Sequence, residues 1–240
     1  MNKEVTVVLI SHKSNDLIIK FIKNIYDKFN IIIIDNSNDL DLKHKINLDY
    51  PKIICEIINN DGYGAAINYA SNLVNSKYFL ICNPDIEGLN EKNIIEFIKA
   101  ARNLDNNFSS LGPRYIDANP KSLIQSNKNI DIAEMKCLSG ACMFFKTETF
   151  NLLGGFDENF FLYFEENDLC LRAHKIKKKN YQINKIKIRH NTGSSVKVEN
   201  KIDQRELKKL YNWHFIWSKF YYYKKNYGYF FSLIFFFQLL

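Results

Sequence analysis

Four short, almost unbroken apolar runs dominate the first third of the chain: VTVVLIS (5–11), IIIID (31–35), KIICEII (52–58) and KYFLIC (77–82). Their length and β-branched content predict strands covered on both faces. The intervening segments LIIKFIKNIYDKF and YGAAINYASNLV carry apolar residues at three- and four-residue spacing, as does EKNIIEFIKAARN after the fourth run. That spacing predicts helices. Strands alternating with helices need crossover connections, which implies an α/β fold with a mostly parallel central sheet. From SLGPRYI to CLSGACMFF the alternation loosens into hairpin-like and loop segments, an elaboration on the first half within one compact unit.

At 240 residues, 46% hydrophobic and 25% charged, the chain can bury a sizeable core. Five cysteines, an odd number without a CxxC pair, read as reduced core thiols. The start, MNKEVTVVLIS, runs directly into a strand pattern, so a cytoplasmic protein is expected. The net charge of +7 is concentrated late, in KIKKKN, NKIKIRH, RELKK and SKFYYYKKNYG. Nucleic acid, an anionic membrane or a phosphorylated substrate would each suit such a distribution. The last thirty residues join Trp and Tyr to Lys and finish in an apolar run shorter than the ~20 residues a spanning helix needs. Two readings stand side by side: a membrane-interface segment at the inner face of the plasma membrane, or a C-terminal helix packed on the domain.

Ligands of open α/β sheets bind beyond the carboxyl ends of the strands. Here those ends are polar: Ser11-His12-Lys13, Asp35-Asn36-Ser37-Asn38-Asp39, Asn59-Asn60-Asp61-Gly62-Tyr63-Gly64 and Asn83-Pro84-Asp85. Each alone is ordinary turn or capping chemistry. Four acidic or amide-rich ends on one rim call for a cation or ligand. GYGAAI has two glycines of a dinucleotide fingerprint but follows the third strand, and no P-loop pattern occurs.

The ordered segments VTVVLISHKSNDL, IIIIDNSND, NNDGYGAAINYA, FLICNPD, LSGACMFFKTETFNLLGGFDENFFLYFEENDLCLR and IRHNTGSS resemble glycosyltransferase family 2, especially bacterial rhamnosyltransferases, over roughly residues 4–225. The resemblance implies the GT-A type nucleotide-diphospho-sugar transferase fold, and inverting transfer from a nucleotide sugar to an acceptor hydroxyl with Mg²⁺ or Mn²⁺. It divides the chain into a nucleotide-binding half (1–105), an acceptor and catalytic half (106–202) and a C-terminal helical, basic-aromatic segment (203–240). By the same resemblance Ser11 and Asp35 lie against the donor's base and ribose, with Asp39 nearby, and Gly62, Gly64 and Asn68 shape the cleft. Asp85 of NPD becomes the metal ligand, while Asn83, standing where the family has a further carboxylate, only hydrogen-bonds. His190, in the context of Gly193-Ser194-Ser195, completes the metal and diphosphate site.

FLYFEENDLCLR (161–172) matches the family's Glu-Asp motif. Glu166 is assigned as general base, with Glu165 as its rival. Asp168 and Arg172, four apart, can pair on a helix; Arg172 is also counted among the substrate-binding residues. GGFDENFF supplies an acceptor-side wall, with Asp157 against a sugar ring. The partners that the resemblance implies are a nucleotide-diphosphate sugar such as dTDP-rhamnose and a saccharide acceptor, such as a lipid-linked one, of cell-surface polysaccharide synthesis; nucleic acid is not expected. A non-catalytic nucleotide-sugar or glycan-binding domain is one alternative. A sugar-nucleotidyltransferase is another, although SHKSND has no glycine for the phosphate loop that such enzymes place after the first strand.

Overall fold

The computed structural model describes residues 2–105, 107–116, 118, 123–191 and 201–237. Strands β1 (Asn2–Ser11), β2 (Phe29–Asp35), β3 (Ile54–Ile57) and β4 (Tyr78–Cys82) are mutually parallel in the order β3-β2-β1-β4. The crossovers between them carry α1 (Asn15–Ile22), α2 (Leu40–Asp49) and α3 (Tyr63–Leu73). Alternate residues of β1 serve opposite cores. Val5, Val7 and Leu9 join one apolar cluster, and Val8 and Ile10 join the other. That two-sided burial is why the strand sequences are continuous apolar runs.

After the two-residue strand β5 (Ile86–Glu87) and α4 (Glu91–Asn103) come β6 (Ser110–Tyr115), β7 (Ile132–Met135) and β8 (Cys142–Lys146). Helices α5 (Thr147–Leu152) and α6 (Glu165–Lys175) lead to β9 (Asn180–His190). β8 runs antiparallel to both β4 and β6, β9 is parallel to β6, and β5 and β7 run antiparallel to β9. The expected mostly parallel sheet is thus found in the first half, whereas in the second half the β6–β9 pair is parallel and the other pairings are antiparallel. Antiparallel neighbours need no helical crossover, which is why the alternation fades where these strands begin. The helix predicted over 17–29 also stops early: after Ile22 the chain passes through tight turns closed by Asn24 N–H to the Phe21 carbonyl and Ile25 N–H to that of Ile22.

The five cysteines are free thiols, four of them buried. The C-terminal segment is a pair of helices, α7 (Lys201–Tyr227) and α8 (Tyr229–Phe237), which turn on Gly228 at φ +93°. Among the described residues no helix is long and apolar enough to cross a membrane. α7 is docked on the domain: the buried Ser218 donates to the Leu162 carbonyl at 2.7 Å, and Phe161 stacks on His214 at 4.4 Å.

Candidate active site

A cavity of about 370 Å³ opens at the carboxyl ends of β1 to β4. Its floor is Ile10, His12, Ser14, Asn36, Asn60, Asn83 and Pro84; Gly62, Tyr63, Phe161 and Leu162 form one wall. Leu207, Leu210, Tyr211 and His214 of α7 close it from above. The three strand ends are tied by side chains: His12 Nδ1 lies 2.9 Å from Asn36 Oδ1, and Asn36 Nδ2 donates to Asn60 Oδ1 at 3.0 Å. An adjoining open groove shares His12, Asn36 and Asn60 and continues along Lys13, Ser37, Asn38 and Asn59.

Beside the cavity sits Asp85, 3% exposed, with neither carboxylate oxygen hydrogen-bonded within the described residues. β5 pairs Ile86 with His190, which brings His190 Nε2 to 3.3 Å from Asp85 Oδ1, close enough to attract but not aligned as a hydrogen bond. Among the described residues no three His, Cys, Asp or Glu side chains gather as a metal-binding group. Asp85 and His190 offer two ligands, an oxygen and a nitrogen donor. Two buried, unsatisfied carboxylate oxygens are costly unless a cation uses them. The pair therefore fits a divalent ion whose remaining positions are filled by phosphate oxygens and water.

The second acidic centre is the start of α6. Glu165, Glu166 and Asp168 occupy its first turn, and no side chain caps that end. The two residues before it, Tyr163 and Phe164, are both left-handed, at φ +70° and +68°. A left-handed bulky residue is strained, and such strain is held only where the surroundings enforce it. Glu165 and Glu166 each keep a buried oxygen without a partner. Burial pushes Glu166 up to about 7. Burial, and next the Glu166 charge, hold Glu165 well above the usual carboxylate range. The helix N-terminus favours negative charge, but desolvation wins here.

The two centres meet through Tyr63. Its hydroxyl donates to Asn83 Oδ1 at 2.8 Å, two residues before Asp85, and lies 3.0 Å from the Gly140 carbonyl. Glu166 lies against Gly140, where an added Cβ would stand 3.6 Å from Glu166 Cβ. Asn83 is thus an acceptor in this bridge.

Several residues expected at the donor also hold the frame. Asp35 is fully buried and accepts from Ser37 N–H, Ser37 Oγ and Asp39 N–H. Asp39 caps α2 by accepting from Leu42 N–H and also takes Asn15 Nδ2. Ser11 is fully buried, 3.3 Å from Ser14 Oγ. Ordinary turn chemistry explains all three. Asn68 clamps the loop after α5, exchanging hydrogen bonds with the Phe156 backbone and reaching Glu158. Arg172 pairs with Asp168 at 2.7 Å and donates to the Leu153 and Gly155 carbonyls, which makes it a brace between α6 and the loop after α5. Asp157 faces α7 instead of a sugar: Lys225 and Tyr221 contact its Oδ2 at 2.8 and 3.0 Å. Burial alone would raise it, but Lys225 and Asn159 override that and hold it at about 2. Gly193, Ser194 and Ser195 lie outside the described residues.

Gly62 is on the cavity wall for a steric reason. It sits at φ +105°, where a Cβ would stand 2.5 Å from the Phe161 carbonyl oxygen. Gly64 is similarly tight, 3.0 Å from Phe156 Cβ. Gly62→Ala is expected to destabilise the fold by about 2 kcal/mol or more through strain and clash, read as a lower denaturation midpoint. A variant as stable as the parent would show that the 161–164 loop yields easily.

His12, Asn36, Asn60 and Tyr63 were legible only as polar strand-end residues. The α7 contributions, Leu207, Leu210, Tyr211 and His214, had no signal of their own, because helix packing over a distant site is a tertiary fact.

No protein-family model matches the chain. It is similar to the low-salt glycan biosynthesis hexosyltransferase Agl10 of Haloferax volcanii, 23% identical over 201 residues, covering 73% of this chain and 63% of that protein. Among solved structures it is similar to the mannosyltransferase PcManGT of Pyrobaculum calidifontis in complex with GDP-Man and Mn²⁺, with TM-score 0.65 and 15% identity, covering 79% of this chain and 58% of that one. It is also similar to S. aureus TarS in complex with UDP-GlcNAc, with TM-score 0.61, 14% identity and coverage of 82% and 60%. The chain spans about three-fifths of the length of these proteins. The α/β architecture, a central sheet flanked by helices, is one it shares with solved glycosyltransferases.

Proposed function

We propose that this chain is a glycosyltransferase of the family 2 type that moves a sugar from a nucleoside-diphosphate donor to a hydroxyl of a saccharide acceptor, with inversion. The observation that carries the proposal is Glu166: a half-buried carboxylate with one enclosed, unpartnered oxygen, raised to about 7 and joined through Gly140 and Tyr63 to the Asp85 side of the site. A sugar hydroxyl is a weak nucleophile, and a base whose pKa lies near the working pH is best placed to take its proton as the new bond forms. Single displacement from the face opposite the leaving diphosphate gives inversion. Asp85 and His190 would hold a divalent cation, Mg²⁺ or Mn²⁺, which when bound offsets the charge developing on the leaving diphosphate. The open groove along Lys13, Ser37 and Asn59 suits the nucleoside, and the largely aliphatic and aromatic cavity under α7 suits the sugar and acceptor.

A lipid-linked saccharide is the acceptor class that fits this apolar wall. Transfer of rhamnose from dTDP-rhamnose and cytoplasmic placement belong to the same proposal. The test is a panel of nucleotide sugars with Mn²⁺, read first as thermal stabilisation. A ligand at a hundred times its Kd stabilises by about 2.7 kcal/mol, a shift of several degrees for a chain of this size. The donor that stabilises should release nucleoside diphosphate when acceptor is added, and Asp85→Asn should lose the Mn²⁺-dependent part of the shift. Donor binding without turnover on any acceptor would favour a binding domain; pyrophosphate as product would favour a nucleotidyltransferase.

A further inference from the structure

The outward side of α7 and α8 is chemically unlike the rest of the molecule. Among the described residues, both tryptophans, Trp213 and Trp217, and the exposed phenylalanines Phe230 and Phe231 lie there, while the exposed Phe215 packs on Tyr163 and Phe164 of the domain. Trp213 is 61% exposed and Phe230 72%. The pattern along α7 is periodic. Lys209, Trp213, Trp217, Phe220, Lys224 and Tyr227 recur at three- and four-residue steps and so form one stripe. The residues facing the domain, Tyr211, His214, Ser218 and Lys225, fall on the opposite side. α8 folds back so that Tyr229 meets Phe220 edge-on.

Contiguous exposed apolar surface of this kind marks a contact with another phase or partner. From residue 207 to 237 the sequence holds five lysines and no Asp or Glu. Lys225 is engaged inward and Lys209 is paired with Glu206, an exposed contact that is weak in water. A second copy of this face would bring several lysines against lysines, with Glu206 alone on the stripe to match them. An anionic surface would match them. α8 has nine residues, about 14 Å of helix, against a hydrocarbon core of about 30 Å. It can lie in an interface but not cross it.

We infer that the outer face of α7 and α8 is a docking surface for an anionic lipid bilayer: Trp213, Trp217, Phe230 and Phe231 enter the headgroup boundary, and Lys209 and Lys224 meet lipid phosphates. This rests on surface chemistry and stands independently of sugar transfer.

The chain's two tryptophans are both on this stripe, so tryptophan emission, excited selectively over the tyrosines, reports on it alone. The full chain is mixed with vesicles of phosphatidylcholine, or of phosphatidylcholine with phosphatidylglycerol, and followed by emission and co-sedimentation. Binding to the anionic vesicles with a blue-shifted emission, weakened by salt, is expected. Lys209→Gln with Lys224→Gln should weaken binding roughly twentyfold, and Trp213→Ser should weaken it further. Both variants alter exposed positions, and an unchanged thermal transition verifies their folding. The inference is overturned by unshifted emission with protein left in the supernatant, by equal binding to neutral vesicles and in both variants, or by a concentration-dependent dimer whose formation shifts the emission while vesicles do not.

Discussion

Glu166→Gln is expected to lower turnover by about a hundredfold or more and, at the same time, to make the protein harder to unfold at pH 8. The two effects share one cause. Burial raises the folded-state pKa of Glu166 from 4.5 to about 7. The folded protein therefore keeps this proton at pH values where the unfolded chain has released it. Stability from this group is fully present below about pH 4.5, is lost as pH rises toward 7, and stays lost above that. A glutamine needs no proton to be neutral. At pH 8 the substitution removes a penalty of up to about 3 kcal/mol, reduced by whatever Glu165 shares of it. Thermal melts should coincide near pH 4 and separate near pH 8, with the variant higher. In the parent enzyme, activity should fall as pH drops below about 7, because the base is then protonated. A glutamine variant that retained normal transfer would move the base to Glu165. One that gained no stability at pH 8 would mean that Glu166 is solvated and that its raised pKa is absent.

The sequence announces the first half of this fold well, because strands buried on both faces have no polar alternation to blur them. β1 to β4 were readable from the runs at 5–11, 31–35, 52–58 and 77–82, each of which overlaps its strand. α2 was not, since among its residues Leu42 and Ile46 alone are buried and its other positions are solvated. The site was readable where unusual chemistry occurs: three carboxylates opening a helix, and an aspartate after a strand. It is ambiguous where polar residues do two jobs equally well. Asp35 and Asp39 look like ligand contacts on a strand rim, yet backbone N–H groups within four residues satisfy them. Local capping can be complete without any tertiary clue. Conversely, the aromatic-basic tail signals an interface, but that one face of it roofs the cavity could emerge only from how Ser218 and His214 pack.

The roof has its own catalytic consequence, which Lys225→Met should expose. Lys225 Nζ sits 2.8 Å from both Asp157 Oδ2 and Asp168 Oδ1, so one cation from α7 ties the loop after α5 to the first turn of α6. Asp168 is fully buried and keeps Arg172 on its other oxygen. Lys225 is itself exposed and Asp168 keeps Arg172 and Asn226, so its removal costs less than the ~3–5 kcal/mol of a fully buried pair, to be read as a lower unfolding free energy. The neighbouring Tyr163 and Phe164 would lose part of what holds them left-handed. With Asp168 only half compensated, additional negative charge near Glu166 raises its pKa further, so the acid limb of the pH–rate profile should move to higher pH. A purely structural defect would lower active fraction at every pH without moving that limb. Lys225→Arg keeps the charge and should restore the limb to its original position. If Lys225→Met shows the parental pH profile and turnover per folded molecule, α7 is a cover over the site and takes no part in setting its base.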